Sequence, residues 1–162
     1  MNSPIPNVRD VYFPLKLLTR VHGKPHFESL NILLDELKTN DSLVTSNLGG
    51  GMYGHLGLLI SDTIYATLSA TAFVNPVNPV PLNTPAQDAG AQIEAALDVW
   101  LDKKCTFKLF QATEKALIAQ VVDTVDATYP AALRNFNTSR YGDSIYSLTQ
   151  HFYSTYGRIT PQ

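Results

Sequence analysis

From Ala86 to Tyr129 no proline interrupts the chain, and Gly90 is the single glycine of that stretch. Apolar residues recur through it at helical spacing: Ile93, Ala96, Leu97, Trp100, Leu101, Phe107, Leu109 and Phe110, then Ala116, Leu117, Val121 and Val125. No strand is this long, so the pattern predicts α-helix. Thr84 suits the N-cap with Pro85 at the first helical position. One helix over 86–128 would run roughly 64 Å. The apolar stripe changes phase near Cys105–Phe107, which favours two helices or one bent there.

The other elements are shorter. Over His26–Thr39 the set Phe27, Leu30, Leu33, Leu34 and Leu37 predicts a helix that opens after Pro25 and ends at Asn40-Asp41-Ser42. Ser61-Asp62 is an N-cap pair for a short helix through Ile64, Tyr65 and Leu68. Pro130–Leu133 adds a turn. Asp143-Ser144 caps a last helix whose Ile145, Leu148, Phe152 and Tyr156 face inward, with Gly157 as its C′ residue. Residues 1–25 carry Pro4, Pro6, Pro14 and Pro25, so Val11–Phe13 and Leu15–Leu18 read as short strands or irregular chain on the core.

The expected fold is therefore mostly α, a compact bundle of five or six helices with long Gly-rich and Pro-rich loops. An extended arm or hairpin, 1–25, precedes a single helical domain, 26–162. The 162 residues suit that one domain, and a 44% hydrophobic content supplies its core. No repeat of solenoid period is present.

Charge is sparse, at 16% of residues, and unevenly placed. Residues 1–40 hold five basic and four acidic groups, and residues 41–85 none and two. Residues 86–128 hold four and seven, and residues 129–162 three and one. No Lys or Arg lies between Lys38 and Lys103. A net charge of −2 argues against holding nucleic acid by bulk electrostatics. One cysteine excludes an internal disulfide and a cysteine-based zinc module. The first residues lack the pattern of a signal peptide, and no apolar run reaches membrane-spanning length, so a cytoplasmic protein without a membrane partner is expected.

Five of the nine glycines fall in Gly49–Gly57, within Leu48-Gly-Gly-Gly-Met-Tyr-Gly-His-Leu-Gly57. Such a loop can aim backbone N–H groups at a phosphate. This one matches neither dinucleotide nor P-loop spacing and has no Lys or Arg within ten residues, so tight turns at positive φ and close packing explain it better. His55 reads as a structural histidine bonding a carbonyl, with acid/base or proton-switch chemistry as the sharper option. His151 reads as half-buried packing, and His22 and His26 as exposed, because Pro25 disfavours a helical metal pair. Asp98 and Asp102, one turn apart, suit a solvated face before a pair of catalytic carboxylates. Cys105, beside Lys103 and Lys104, reads as a small buried hydrophobe before a nucleophile. Tyr141, Tyr146, Tyr153 and Tyr156, with Arg134, Arg140 and Arg158, suit core or interface edge before stacking on single-stranded RNA. No catalytic, cofactor or metal set emerges.

Two stretches together carry a resemblance. One is Leu48-Gly-Gly-Gly-Met-Tyr-Gly-His-Leu-Gly-Leu58, with Ser61-Asp-Thr-Ile-Tyr-Ala-Thr-Leu-Ser69 and Phe73-Val-Asn-Pro-Val-Asn-Pro79. The other is Glu114–Tyr129 followed by Ser147-Leu-Thr-Gln-His-Phe-Tyr-Ser-Thr-Tyr-Gly-Arg-Ile-Thr-Pro161. In order they resemble the Gag-like region of Ty1/copia-type LTR retrotransposons. That pattern has a helix tryptophan, then an Ala-Leu-Ile…Val helix, then a helix ending Leu-x-x-x-Phe/Tyr-x-x-x-Tyr-Gly. Trp100, Ala116-Leu117-Ile118, and Leu148, Phe152 and Tyr156-Gly157 take those places. The resemblance covers about residues 25–161 and implies a capsid N-terminal-like module that self-associates into shells around element RNA. Members commonly continue past the Tyr-Gly-x-Ile-Thr-Pro point into a second helical domain, so Gln162 reads as a domain edge and RNA contact as a task of sequence outside this chain. The residues expected at a loop or subunit contact are Gly49, Gly50, Gly51, His55, Gly57, Trp100, Tyr153 and Tyr156. A helical adaptor, or a phosphate- or nucleotide-binding module using the Gly49–Gly57 loop, is the alternative.

Overall fold

The computed structural model describes residues 7–82, 90–133, 137–138 and 144–157. Five α-helices follow in chain order: α1 (Val8–Val11), α2 (Phe27–Ser42), α3 (Asp62–Leu68), α4 (Gly90–Thr124) and α5 (Ile145–Tyr156). Two 3-10 turns, Leu56–Leu58 and Pro130–Leu133, complete the regular structure, and no strand occurs among the described residues. The fold is mostly helical. Thr84, Pro85, Arg134, Arg140, Tyr141, Asp143 and Arg158 lie outside the described residues.

Side-chain caps set several boundaries. Ser61 accepts a hydrogen bond from Ile64 N at 3.2 Å, and Ser144 accepts one from Ser147 N at 3.0 Å, which starts α3 and α5 where the sequence places them. At α2 the His26 N–H donates to Ser29 Oγ at 3.0 Å. Gly157 ends α5 at φ −88°, so it is not the left-handed C′ glycine expected.

The extended reading of the first segment is corrected over one turn. The Asn7 side chain accepts from Arg9 N at 3.1 Å and Asp10 N at 3.4 Å, which nucleates α1. Pro14 stands just beyond it and forbids continuation. Val11 is consequently exposed, whereas Val8, Phe13 and Val21 enter the main core. Two amides hold the segment down. Asn40 Oδ1 accepts from Leu15 N at 3.0 Å, and Asn40 Nδ2 donates to Leu15 O at 2.8 Å and to Gln120 Oε1 at 2.9 Å. Gln120 Nε2 in turn donates to Leu15 O at 2.9 Å. The helix ends at Ser42, as the sequence indicates, and Asn40 and Asp41 are buried in its last turn.

The core lies among α2, α5 and the C-terminal half of α4. Leu30, Leu33 and Leu37 meet Leu117, Val121, Ile145, Leu148 and Phe152. Leu58, Leu59, Ile60, Tyr65 and Phe73 close it from the middle of the chain.

Of the two readings for 86–128, two helices or one bent helix, the two-helix one is corrected: α4 is one continuous helix of 35 residues, about 52 Å long. Its buried residues begin only at Phe110 and continue through Thr113, Leu117, Gln120, Val121 and Thr124. The phase change at Cys105–Phe107 marks the point where the helix leaves the core, not a break in it. Cys105 stands five positions before Phe110, about 140° round the helix from the core-facing stripe. It is exposed, which corrects the buried-hydrophobe reading.

Candidate functional site

The glycine loop is held by its own packing. Gly50, Gly51 and Gly54 adopt φ of +90°, +88° and +55°, a region that side-chain-bearing residues rarely enter. Gly49 and Gly57 serve close approach instead: a Cβ on the first would strike the Tyr65 ring, and on the second the Phe73 ring. The Tyr65 hydroxyl donates to Gly49 O at 2.7 Å and Ser69 Oγ donates to the same oxygen at 3.1 Å. Val74 N donates to Leu48 O at 3.2 Å, drawing the chain after α3 back beside the loop.

His55 sits at the centre and is 1% exposed. Its backbone N–H donates to Asp41 O at 3.1 Å, and its Nδ1 lies 2.8 Å from Val44 O. A carbonyl only accepts, so Nδ1 carries the proton and Nε2 presents a lone pair. Phe73 and Phe110 flank the ring at centroid distances of 6.5 and 6.3 Å. Burial lowers the imidazole pKa below its ordinary value, partly opposed by the bond to Val44. The histidine is a neutral strut, as its position in the sequence suggested. With Thr45, Ser46, Asn47, Asp102, Thr106 and Leu109 it lines a small polar cavity of about 260 Å³.

Several N–H groups that a phosphate cradle would use are already engaged. Leu48 N donates to Ser46 Oγ, His55 N to Asp41 O, Leu56 N to Tyr53 O and Leu58 N to His55 O. We therefore expect ATP, GTP or inorganic phosphate at millimolar concentration to leave the melting temperature unchanged. A site occupied at 100 Kd would add about 2.7 kcal/mol, visible as a clear upward shift by scanning fluorimetry.

The other candidates are scattered. Asp98 and Asp102 are exposed on α4. His22 and His26 are exposed, and α2 starts only after His26, so they do not share a helical face. His151 is half-buried as expected, with its Nε2 buried and without a hydrogen-bond partner among the described residues. Tyr146 is half-buried. Tyr153 donates its hydroxyl to Asn31 Oδ1 at 2.6 Å and packs edge-on against Phe27 at 6.4 Å. Tyr156 meets Tyr129 edge-on at 5.4 Å, with the Lys24 ammonium 5.9 Å from its ring. These tyrosines tie α5 to α2 and to the segments beside it. No group of three metal-ligating side chains occurs among the described residues.

Two features escaped sequence reasoning. Asp41 is fully buried, and neither carboxyl oxygen has a hydrogen-bond partner among the described residues. Burial, and then the neighbouring Glu114, push its pKa well above the ordinary carboxyl value. Glu114, on α4, takes a backbone hydrogen bond from Ile145; burial raises its pKa too, against the effect of that bond. The available signal was the stripe Leu30, Leu33, Leu37, which continues at helical spacing onto Asp41.

The second feature is a groove of about 910 Å³ between the proline-rich 76–82 strap and the N-terminal half of α4, lined by Val77, Val80, Val99 and Trp100 among others. Trp100 Nε1 donates to Val80 O, and Lys104 Nζ donates to Asn78 Oδ1 at 2.7 Å, pinning the strap to the helix. Val77 is 84% exposed and Val80 78%. Trp100 was a candidate contact residue by sequence, but its role in forming a groove rests on a partner twenty positions away.

Together these features define a mostly helical protein with an apolar groove along the half of α4 that extends beyond the core. No helix of the described residues is long and apolar enough to cross a membrane. Comparison with protein-family models, curated proteins and solved structures returns no match.

Proposed function

We propose that this chain is a structural protein that works by self-association, similar to the N-terminal capsid-like domain of Ty1/copia-type Gag proteins. In this reading its copies form a cytoplasmic shell around element RNA, which is contacted through sequence outside this chain. One observation carries it above the rest. The first twenty residues of α4 hold Ile93, Leu97, Val99, Trp100 and Leu101, yet none of them is buried by the chain's own core. Exposed Val77 and Val80 extend that surface. Apolar side chains left uncovered along a helix that extends beyond the core suit an interface. Repeated modest contacts suffice where symmetry multiplies them.

Sedimentation velocity from 10 µM to 1 mM, across salt and pH, tests the reading. Concentration-dependent association is expected, strengthened when the natural downstream sequence is attached. A single monomeric species under all conditions, with and without that sequence, overturns it.

A further inference from the structure

We propose that the small polar cavity between residues 45–47 and α4 is a binding site for a primary alkylammonium group. The group donates a hydrogen bond to His55 Nε2 at the floor and pairs with the Asp102 carboxylate at the mouth. This site does not depend on the self-association reading.

The floor is prepared by the fold. The Val44 carbonyl oxygen lies 2.8 Å from His55 Nδ1, just beyond the last turn of α2. That bond keeps the ring proton on Nδ1 and leaves Nε2, on the opposite edge of the ring, as an acceptor only. Phe73 and Phe110 flank the imidazole and hold it in that orientation. His55 is 1% exposed and lines the cavity, yet Nε2 has no hydrogen-bond partner among the described residues. It is not sealed in the interior either: the sealed, unpartnered side-chain atoms there belong to Asp41 and His151. The cavity is therefore where this lone pair meets the outside. An acceptor left unpaired in an enclosed site is costly, and an incoming N–H removes that cost.

The walls add acceptors and one negative charge. Asp102 and Thr106 stand one turn apart on α4, and the Thr106 hydroxyl donates to Asp102 O at 3.0 Å. Its proton is thereby used, and its oxygen is left to accept. Ser46 and Asn47 supply a hydroxyl and an amide from the facing segment. No Lys, Arg or Glu lines the cavity among the described residues, so Asp102 is its one carboxylate. Lys103 lines the strap–α4 groove instead, and Lys104 donates to Asn78 at 2.7 Å. Asp102 makes no ion pair among the described residues.

These features select the ligand by its chemistry. A phosphate or carboxylate would meet an acceptor floor and a carboxylate, with no cation to pair with. A metal ion would need more ligands, because no three metal-ligating side chains come together among the described residues. A quaternary ammonium brings charge but no N–H for the imidazole. A primary ammonium brings one charge and three donors: one for Nε2, one for Asp102, and one for Asn47 Oδ1 or a hydroxyl. About 260 Å³ holds that group on a short alkyl stem, which Leu109 covers, and is smaller than the pockets of drug-sized ligands. A free polyamine and a lysine side chain both carry this group.

The test follows the His55 ring nitrogens by NMR in the full chain at about pH 7.5 while n-butylammonium chloride is added. The unprotonated Nε2 resonance is expected to move upfield and to saturate with a Kd of about 1 mM, while Nδ1 moves little. Tetramethylammonium chloride is expected to leave Nε2 in place. His55 itself is kept, since its removal would disturb the core. Asp102→Asn, at an exposed position, is expected to weaken binding about tenfold with unchanged circular dichroism. Burial holds the imidazole pKa below 6.5, so affinity is expected to be full above that value and to fall as the ring protonates at lower pH. Spermidine and an Nα-acetyl-lysine amide are titrated alongside, and the tighter of the two identifies the source of the amine. An Nε2 resonance that no amine moves overturns the inference. Equal movement with tetramethylammonium, or an affinity unchanged in Asp102→Asn, overturns it as well.

Discussion

Replacing Asp41 with asparagine is expected to stabilise the protein, by about 2 kcal/mol at pH 8. For a chain of this size that raises the melting temperature by about 4–8 °C. The cause is a carboxyl buried in the last turn of α2, with no hydrogen-bond partner on either oxygen among the described residues and the Glu114 carboxylate nearby. It also sits at the helix end whose dipole disfavours negative charge. The unfolded chain releases this proton near 3.8, whereas the folded chain keeps it to a much higher pH. Between those limits the folded state binds more protons, so stability falls as pH rises. The gain from Asp41→Asn should be absent below pH 3.8, grow through that window and then level off. Burial lowers the His55 pKa, and its contribution has the opposite sign: it is present above about 6.5 and lost as pH falls through the folded value. The parent chain therefore loses stability on both sides, and the variant less so on the alkaline side, where burial of Glu114 still acts. Urea unfolding at several pH values, compared pairwise, isolates the Asp41 contribution. A variant that is less stable at every pH would contradict this account.

Gly54→Ala is expected to cost about 3 kcal/mol or more. Gly54 holds φ +55°, where a Cβ alone costs about 1 kcal/mol. The same Cβ would be driven into the backbone carbonyl oxygens of Ser42 and Val44. Those atoms cannot rotate away, and Val44 O is also the partner of His55 Nδ1. The strain therefore reaches the packing of His55 on Phe73 and Phe110. Gly51→Ala is the matched control. Its φ is +88° but no neighbour lies closer than 3.6 Å, so backbone strain alone remains, about 1–2 kcal/mol. Equal denaturation midpoints for the two variants would remove the steric part of the explanation.

Helix content and the position of most elements were legible because they depend on local rules. Leu30, Leu33 and Leu37 on α2, the serine caps at Ser61 and Ser144, and the glycines at positive φ each declare themselves within a few residues. The structural role of His55 was legible for a similar reason, since nothing beside it in sequence offered a partner for chemistry. Cys105 was misread because the residue type, a small thiol most often found buried, does not say whether a core lies opposite. The two-helix alternative for residues 86–128 failed for the same reason, and the single-helix alternative held. The stripe lost phase where the core ends at Phe110, while the backbone continued helical.

The sequence by itself determined a mostly helical chain, the sites where its helices start, and a basic-free stretch from residue 39 to 102. These follow from propensity, capping and composition, which act over one or two turns. Only the tertiary structure decided which half of α4 is covered, that Asp41 is buried near Glu114, and that Val80 and Trp100 enclose a groove. Such features arise from residues twenty to eighty positions apart, brought together by burial of one shared core. No periodicity along the chain encodes that distance.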